Sequence, residues 1–565
     1  MSQKRLKRIK RAEVLKIVDR PVESFLGIRG IIKENWKFLL ALCVGVFLLY
    51  FNSLNGNFVS DDYAAITQNS NVKDLSILFS SFRSSPSVIN AIIAMIFGVG
   101  SSFPFHFANT ALYLLSILLF FIFANISFGK NVAKISVLMF SVLPVHVEAV
   151  SWISGKPYLL NAIGMFALLL FFAAYDATKN KKYLYYFFAF LPVATYFEPV
   201  RSLAIFLILP IYVLTLSKNI SKGLFIKWYL ILIFLVGSIL FLMLKNDIFN
   251  RINEVNSGTN GSGEIFYNPL FQYPTAAAKY LQIALFPADL TLYHTMYIFP
   301  VWLNWSILIT YLVSLVYFFW KNKKIFFCLA FIFAATASSM APIKVSWLVA
   351  ERYIFLGSTG VALLLGYLFD SIIDGFVKLG PFFLVVILSV YSIRTFYRNI
   401  DWQTNHNLWV NTCQVSPNSH NAWNNIGDDY DKLGQYDNAV RGFTQSVLVK
   451  PNYADAYHNR ANIFFKTGRL DLARESYQTA LSLNPAMFQT YLSLTQIDLT
   501  EKRIDLALVH AKKIVELQPN SLQAIYVMGV VQAEAGNNEE AKKIFNYILQ
   551  AVPNYSPARE ALNKL

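Results

Sequence analysis

Long apolar runs broken by short polar turns fill the chain from about residue 38 to residue 397. After that the pattern changes to the mixed apolar and polar periodicity of a soluble helical protein. A helix needs ~20 apolar residues to cross a bilayer. On that measure eleven spans are expected, near 37–53, 104–127, 132–148, 158–176, 183–197, 200–217, 225–245, 301–320, 325–342, 350–369 and 379–397. The segment 87–100 is apolar but short and ends in glycine, so it is expected to lie at the membrane interface. The first run, WKFLLALCVGVFLLYFN (36–52), lacks a small-residue cleavage site and reads as a retained anchor.

The polar part has a period. Pro417, Pro451, Pro485, Pro519 and Pro553 stand 34 residues apart, the spacing of tetratricopeptide repeats. Trp423, Gly427, Tyr430, Ala439 and Phe443 meet the pattern of one unit, and Tyr457, Ala461, Phe464, Ala473 and Tyr477 that of the next. Four units are expected, at about 420–453, 454–487, 488–521 and 522–555, with a lone second helix at 403–416 before them and a cap at 556–565. Small residues recur where paired helices cross and aromatics where the next pair packs, as a stacked solenoid requires. The expected architecture is all-α: a basic tail (1–36), a polytopic membrane domain (37–397) with long connections at 54–103 and 246–300, and a repeat domain (398–565). Such solenoids bind proteins or peptides. Asn421 and Asp455, and likewise Asn425 and Asn459, recur at matching positions, either as solvated helix positions or as a ladder for an extended acceptor peptide.

Charge orients the chain. The net charge is +16, yet residues 398–565 carry equal numbers of acids and bases, so the excess belongs to the apolar part and its tail. A basic tail abutting an apolar span sets topology more readily than it binds nucleic acid. With eleven spans and a cytoplasmic N-terminus, the clusters at Lys130 and Lys134, at Lys179, Lys181 and Lys182, at Lys218, Lys222 and Lys227, and at Lys321, Lys323 and Lys324 all fall inside. The odd number then delivers the repeats to the outer or lumenal side. Cys43, Cys328 and Cys413 offer neither a disulfide framework nor metal-ligand spacing.

Ionisable residues gather at the expected outer ends of the spans. Asp61 and Asp62 follow the first span; His146, Glu148 and Lys156 stand between the third and fourth; Glu198 and Arg201 follow the fifth; Glu351 and Arg352 open the tenth. Adjacent carboxylates repel, which raises one pKa and suits a base or a cation ligand. Residues of this kind at span ends also pair with one another or snorkel.

In this pattern the chain resembles the transmembrane and tetratricopeptide-repeat protein O-mannosyltransferases, within the GT-C class of glycosyltransferases. The likeness rests on Asp61-Asp62, FHFANTALYLL (105–115), PVHVEAVSWISGK (144–156), YLQIALFPADLTLYH (280–294), AERYIFLGSTG (350–360) and DWQTNHNLWVNTCQVSPNS (401–419). The resemblance implies an acidic catalytic residue in the first outer loop, a polyprenyl-phosphate sugar donor, and Ser or Thr acceptors on secretory proteins. A composition rich in Lys, Asn, Ile and Phe suits a prokaryotic relative, in a bacterial or archaeal cell membrane; a eukaryotic one would sit in the endoplasmic reticulum.

The chemistry is consistent with one base. An acceptor hydroxyl loses its proton as it attacks the anomeric carbon, while a phosphate leaving group needs cationic stabilisation and no acid. Asp61 or Asp62 is the expected base, and Lys156, Arg201 and Arg352 the expected phosphate partners. His146 and Glu148 either orient the others or, with the Asp pair, ligate Mg²⁺ or Mn²⁺, the hard ions that oxygen-rich sites suit. Single-face attack predicts inversion. Two alternatives are a non-catalytic membrane anchor that presents the repeats and an O-antigen-ligase-like transferase. The latter class depends on a late outer loop with His and Arg, where this chain has only Arg251, Lys279 and His294.

Overall fold

The computed structural model describes residues 27–74, 87–197, 199–223, 225–227, 229, 268–297, 299–340, 347–376 and 379–565. Most of the basic tail, Glu198, Arg251 and most of the expected span at 225–245 lie outside the described residues. The chain divides into two compact units, Met1–Val415 and Ser416–Leu565. The division falls later than the boundary expected at 398, because the segment after the last apolar helix packs into the first unit. Trp409, for example, lies 5.8 Å from the ring of Tyr293.

The described helices of the first unit are α1 (Gly27–Tyr50), α2 (Ser87–Phe97), α3 (Phe103–Phe128), α4 (Lys130–Ser141), α5 (Val147–Ser151), α6 (Lys156–Thr178), α7 (Lys181–Phe197), α8 (Ile205–Thr215), α9 (Pro269–Leu285), α10 (Val301–Lys321), α11 (Lys323–Thr336), α12 (Ser358–Gly375), α13 (Leu379–Asp401) and α14 (Asn405–Val415). A four-residue turn, Pro199–Ser202, stands between α7 and α8. Among the described residues five are long and apolar enough to cross a membrane: α1, α3, α6, α10 and α13, some with a flanking turn. The run from α4 through α5, bent by 59°, makes a sixth if it is one crossing. The other expected spans that are described form shorter helices. Of these, α7 and α8 carry Pro192 and Pro210 inside them, and a proline removes a helix hydrogen bond. Helix α2, at 11 residues, is too short to cross and leaves Ile92, Met95, Ile96 and Phe97 exposed.

Helix α6 is the most enclosed crossing, whereas α10 and α13 turn most of their apolar side chains outward. Close approach depends on small residues. A Cβ at Gly164 of α6 would sit 2.9 Å from Ala194 of α7, and one at Gly366 of α12 would sit 2.0 Å from the Ser136 hydroxyl of α4. Phe120, Phe140 and Phe166 form one aromatic layer, with centroids 5.1–6.0 Å apart.

The second unit pairs α15 (His420–Lys432) with α16 (Tyr436–Val449), α17 (Ala454–Lys466) with α18 (Leu470–Leu483), α19 (Phe488–Thr500) with α20 (Ile504–Leu517), and α21 (Leu522–Glu534) with α22 (Asn538–Ala551), and closes with α23 (Ser556–Leu562). Within the first and last pairs a glycine lets an aromatic ring lie against the opposing helix: a Cβ at Gly427 would meet Phe443 at 2.8 Å, and one at Gly529 would meet Phe545 at 2.6 Å. Between the helices of each pair one residue takes positive φ: Gly434, Gly468, Lys502 and Gly536. In the third pair a lysine occupies the place that glycine fills elsewhere.

Candidate active site

The loop after α1 carries Asp61 and Asp62 in opposite environments. Asp61 is exposed and Asp62 fully buried. Asp62 accepts hydrogen bonds from the Val59 N–H at 3.1 Å and from the Ser154 N–H and hydroxyl at 2.9 and 2.5 Å. Burial pushes its carboxyl up to about 6, against the opposing pull of those hydrogen bonds and of nearby Lys156. Lys156, at the start of α6, is also buried. Its Nζ donates to the Ile153 carbonyl at 3.4 Å and lies 5.7 Å from the centre of the Phe105 ring. Expected as a phosphate partner, Lys156 is turned inward as the companion of Asp62.

The residue before this pair is strained. Ser60 has φ of 53°, a left-handed conformation that disfavours residues with a side chain beyond Cα. Its N–H donates to Asn405 Oδ1 at 2.8 Å. The rest of the loop is held by the segment that ends α13 and leads into α14. The Asn57 N–H donates to the Gln403 carbonyl at 2.7 Å, and Gln403 Nε2 donates to the Asn52 carbonyl at 2.8 Å. Asn399 Nδ2 donates to the Leu49 carbonyl and to Asn52 Oδ1 at 3.0 and 2.9 Å, while Asn399 Oδ1 accepts the Ser151 hydroxyl at 2.9 Å. Sequence reasoning gave these residues no role at the site.

A second group forms where α5, α6 and the turn before α12 meet. Glu148 is fully buried; it accepts the Arg352 N–H at 2.8 Å and pairs with the Arg352 guanidinium. Arg352 Nε also donates to the Tyr158 hydroxyl at 3.2 Å, and Arg201 Nη2 donates to the same oxygen at 3.0 Å. The Arg201 guanidinium lies 4.3 Å from the centre of the Tyr158 ring and 5.6 Å from that of Tyr353; Arg352 lies 5.0 Å from Tyr353 and 5.5 Å from Trp152. Two guanidinium groups thus meet at one hydroxyl against aromatic faces, with the charge of Arg352 balanced by Glu148. Trp152 stands two residues before Ser154, so one short segment serves both groups.

Glu351, next to Arg352, faces elsewhere. It is fully buried and receives Arg398 Nη2 at 2.8 Å, while Arg398 Nη1 reaches Asp401 Oδ2 at 2.9 Å and Asn411 Oδ1 at 3.0 Å. His294 Nε2 lies 3.9 Å from Glu351. Burial and the neighbouring Lys279, Arg398 and Arg352 hold this imidazole well below its ordinary pKa, hence neutral.

His146 has a hydrogen-bond partner at each ring nitrogen. Nδ1 meets the Tyr113 hydroxyl at 2.8 Å and Nε2 the Ser358 hydroxyl at 2.7 Å, with the rings of Phe140 and Phe355 at 4.4 and 4.6 Å. With both nitrogens engaged, Glu148 paired to Arg352 and Asp62 bonded through both oxygens, the four residues do not fit a shared divalent-cation site. Among the described residues no three His, Cys, Asp or Glu side chains gather as metal ligands. Of the expected acceptor ladder, Asp455 is exposed, Asn425 is partly buried and Asn421 is buried. Asn459 Nδ2 donates to Asn424 Oδ1 of the preceding repeat at 3.0 Å, which ties α17 to α15.

Both parts of the chain have counterparts among known proteins. Residues 420–453, 454–487 and 523–555 each match the Tetratricopeptide repeat family. The chain is homologous to Protein O-mannosyl-transferase TMTC3 of Mus musculus, 20% identical over 475 residues that cover 74% of this chain and 51% of the relative. It is 29% identical to Protein O-mannosyl-transferase TMTC3 of Homo sapiens over 107 residues, 19% of this chain and 12% of that one. The chain thus spans about half the length of these relatives or less. Among solved structures, MamA aligns with a TM-score of 0.24 and 20% identity over 26% of this chain and 80% of its own.

Proposed function

We propose that the chain is a membrane glycosyltransferase that moves a sugar, mannose by its relation to TMTC3, from a polyprenyl-phosphate donor to Ser or Thr hydroxyls of protein acceptors. The observation that carries this reading is that the short segment Trp152–Ser154 borders Arg352 at one end and holds Asp62, the neighbour of the exposed Asp61, at the other.

Asp61 is the base. Asp62, with its two oxygens occupied by Ser154 and Val59, anchors the loop. The acceptor hydroxyl gives its proton to Asp61 as its oxygen forms a bond to the anomeric carbon. The bond from that carbon to the phosphate oxygen breaks at the same time, and its electron pair leaves with the polyprenyl phosphate. Arg201 and Arg352 stabilise the charge that develops there, preorganised by Tyr158 and Glu148. Attack opposite the leaving group inverts the sugar carbon. The repeats hold the protein acceptor. The N-terminus faces the cytoplasm, and the site and repeats face the outer or lumenal side, consistent with the lysine-rich connections.

The test is transfer by the purified full-length chain in detergent, from defined polyprenyl-phosphate sugars to Ser/Thr peptides. Sugar-bearing peptide with the inverted anomer supports the reading. Absence of product from every donor defeats it.

A further inference from the structure

The segment that leaves the last apolar helix does more than connect the two units. Asn399, Gln403 and Asn405 grip the Asp61 loop at successive points, from Leu49 through Asn52 and Asn57 to Ser60. Asn399 is fully buried at this junction. The last grip is the most consequential, because Ser60 is both in the left-handed region and covalently adjacent to Asp61. A backbone N–H can only donate, so the group of Asn405 that meets it is its oxygen. Thr404, not Asn405, caps the start of α14, its hydroxyl accepting the Asn407 N–H at 3.1 Å. The Asn405 side chain is therefore spared for the loop.

We propose that Asn405 is a positioning residue for sugar transfer: its side-chain oxygen holds Ser60 in the left-handed conformation and so sets the direction of the Asp61 carboxylate. The proposal rests on the transferase reading above and assigns that site a residue lying far along the chain from its base. On one side the loop is pinned through Asp62 to Ser154, and on the other through Ser60 to Asn405. Asp61 projects between two fixed points. Release of the second point lets Ser60 relax toward negative φ, which swings Asp61 while leaving Asp62 and the arginine site in place.

The experiment compares wild type, Asn405→Ala, Asn405→Asp and the double variant Asn405→Ala/Ser60→Gly, all full-length, in transfer kinetics and in hydrogen exchange of the peptide spanning residues 56–66. Asn405→Ala should lower kcat about 10- to 100-fold, the scale of a misplaced reacting group, with donor KM and thermal midpoint unchanged and exchange at this peptide faster. Asn405→Asp keeps an accepting oxygen for the Ser60 N–H and should retain slow exchange and most of kcat; fast exchange there would overturn the proposal. Glycine adopts positive φ without strain, so Ser60→Gly should recover part of the kcat lost in Asn405→Ala. Normal kcat in Asn405→Ala overturns the proposal and leaves the transferase reading standing. A wild-type chain that transfers no sugar overturns that reading and the positioning role with it, and the exchange measurement then decides whether the clamp itself exists.

Discussion

Arg352 meets Glu148 twice, through its backbone N–H at 2.8 Å and through its guanidinium, although the two residues are 204 positions apart. The double contact fixes both the turn that carries Arg352 and the direction of its side chain. Removing one member of a buried charge pair strands the other, at a cost of about 3–5 kcal/mol. Glu148→Ala is therefore expected to lower the thermal midpoint sharply in detergent and to abolish transfer as a consequence, whereas Glu148→Gln, which keeps an acceptor for the N–H, should fold with a smaller loss. Equal midpoints for wild type and Glu148→Ala would contradict the pairing.

Asp61→Asn keeps shape and removes basicity. Transfer should drop by roughly 10²–10⁴-fold, with donor binding and thermal midpoint unchanged. Asp62→Asn should behave differently, since an amide offers one oxygen where the carboxylate offers two to Ser154 and Val59. It should lose stability as well as activity. A result in which Asp62→Asn is the fold-neutral, catalytically dead variant would exchange the two assignments.

The pH dependence of Asp62 gives a separate check. Its folded pKa, raised to about 6, lies above the unfolded value near 3.8. Between those values the folded chain binds more protons than the unfolded one, so this group's contribution to stability declines as pH rises. The stability of wild type relative to Asp62→Asn should fall across pH 4 to 6 and level off above. Thermal midpoints of the two proteins measured in parallel decide it, and a difference that grows with pH would rule the buried carboxyl out.

Arg201 rests on Tyr158 and Tyr353 and meets the hydroxyl that Arg352 also uses. A charge-assisted hydrogen bond contributes about 1.5–3 kcal/mol. Arg201→Ala should therefore raise the donor KM roughly tenfold to a hundredfold, and Arg201→Lys should recover only part, because an ammonium cannot present the planar fork. An unchanged KM would move the phosphate elsewhere.

Lys502 occupies the positive-φ position held by glycine in the other three pairs. Left-handed backbone costs a residue with a side chain roughly 1–2 kcal/mol, partly offset by the greater unfolded freedom of glycine. Lys502→Gly should raise the midpoint of the repeat unit by a few degrees, read by circular dichroism on the full chain, without altering transfer to a short peptide. A lower midpoint would show that the lysine makes a compensating contact.

The repeats were legible because their information is local. Pro417 to Pro553 and the glycines and alanines at helix crossings recur every 34 residues, and each is required by a contact within its own unit or the next. Asp61 and Asp62 were legible as a pair but not as opposites, since burial of one depends on Ser154, 92 residues away. Apolar length and helix length differ among the described residues: α7, α8 and α11 are apolar enough to suggest spans but end after 17, 11 and 14 residues. The inward turn of Lys156 and the capture of Ser60 by Asn405, 345 residues on, have no local signature at all. They exist only once the ends of α3, α6 and α13 have met.

Glu351 and Arg352 are consecutive, yet each is seized by a different partner, Arg398 for the first and Glu148 for the second. Neither residue can turn about the backbone without pulling the other from its counter-ion. These two residues work as a rivet through three parts of the molecule, joining α5, the turn before α12 and the exit of α13. Any closure over a bound donor must then carry those three parts as one piece, with compliance left to the loops that the rivet does not pass through.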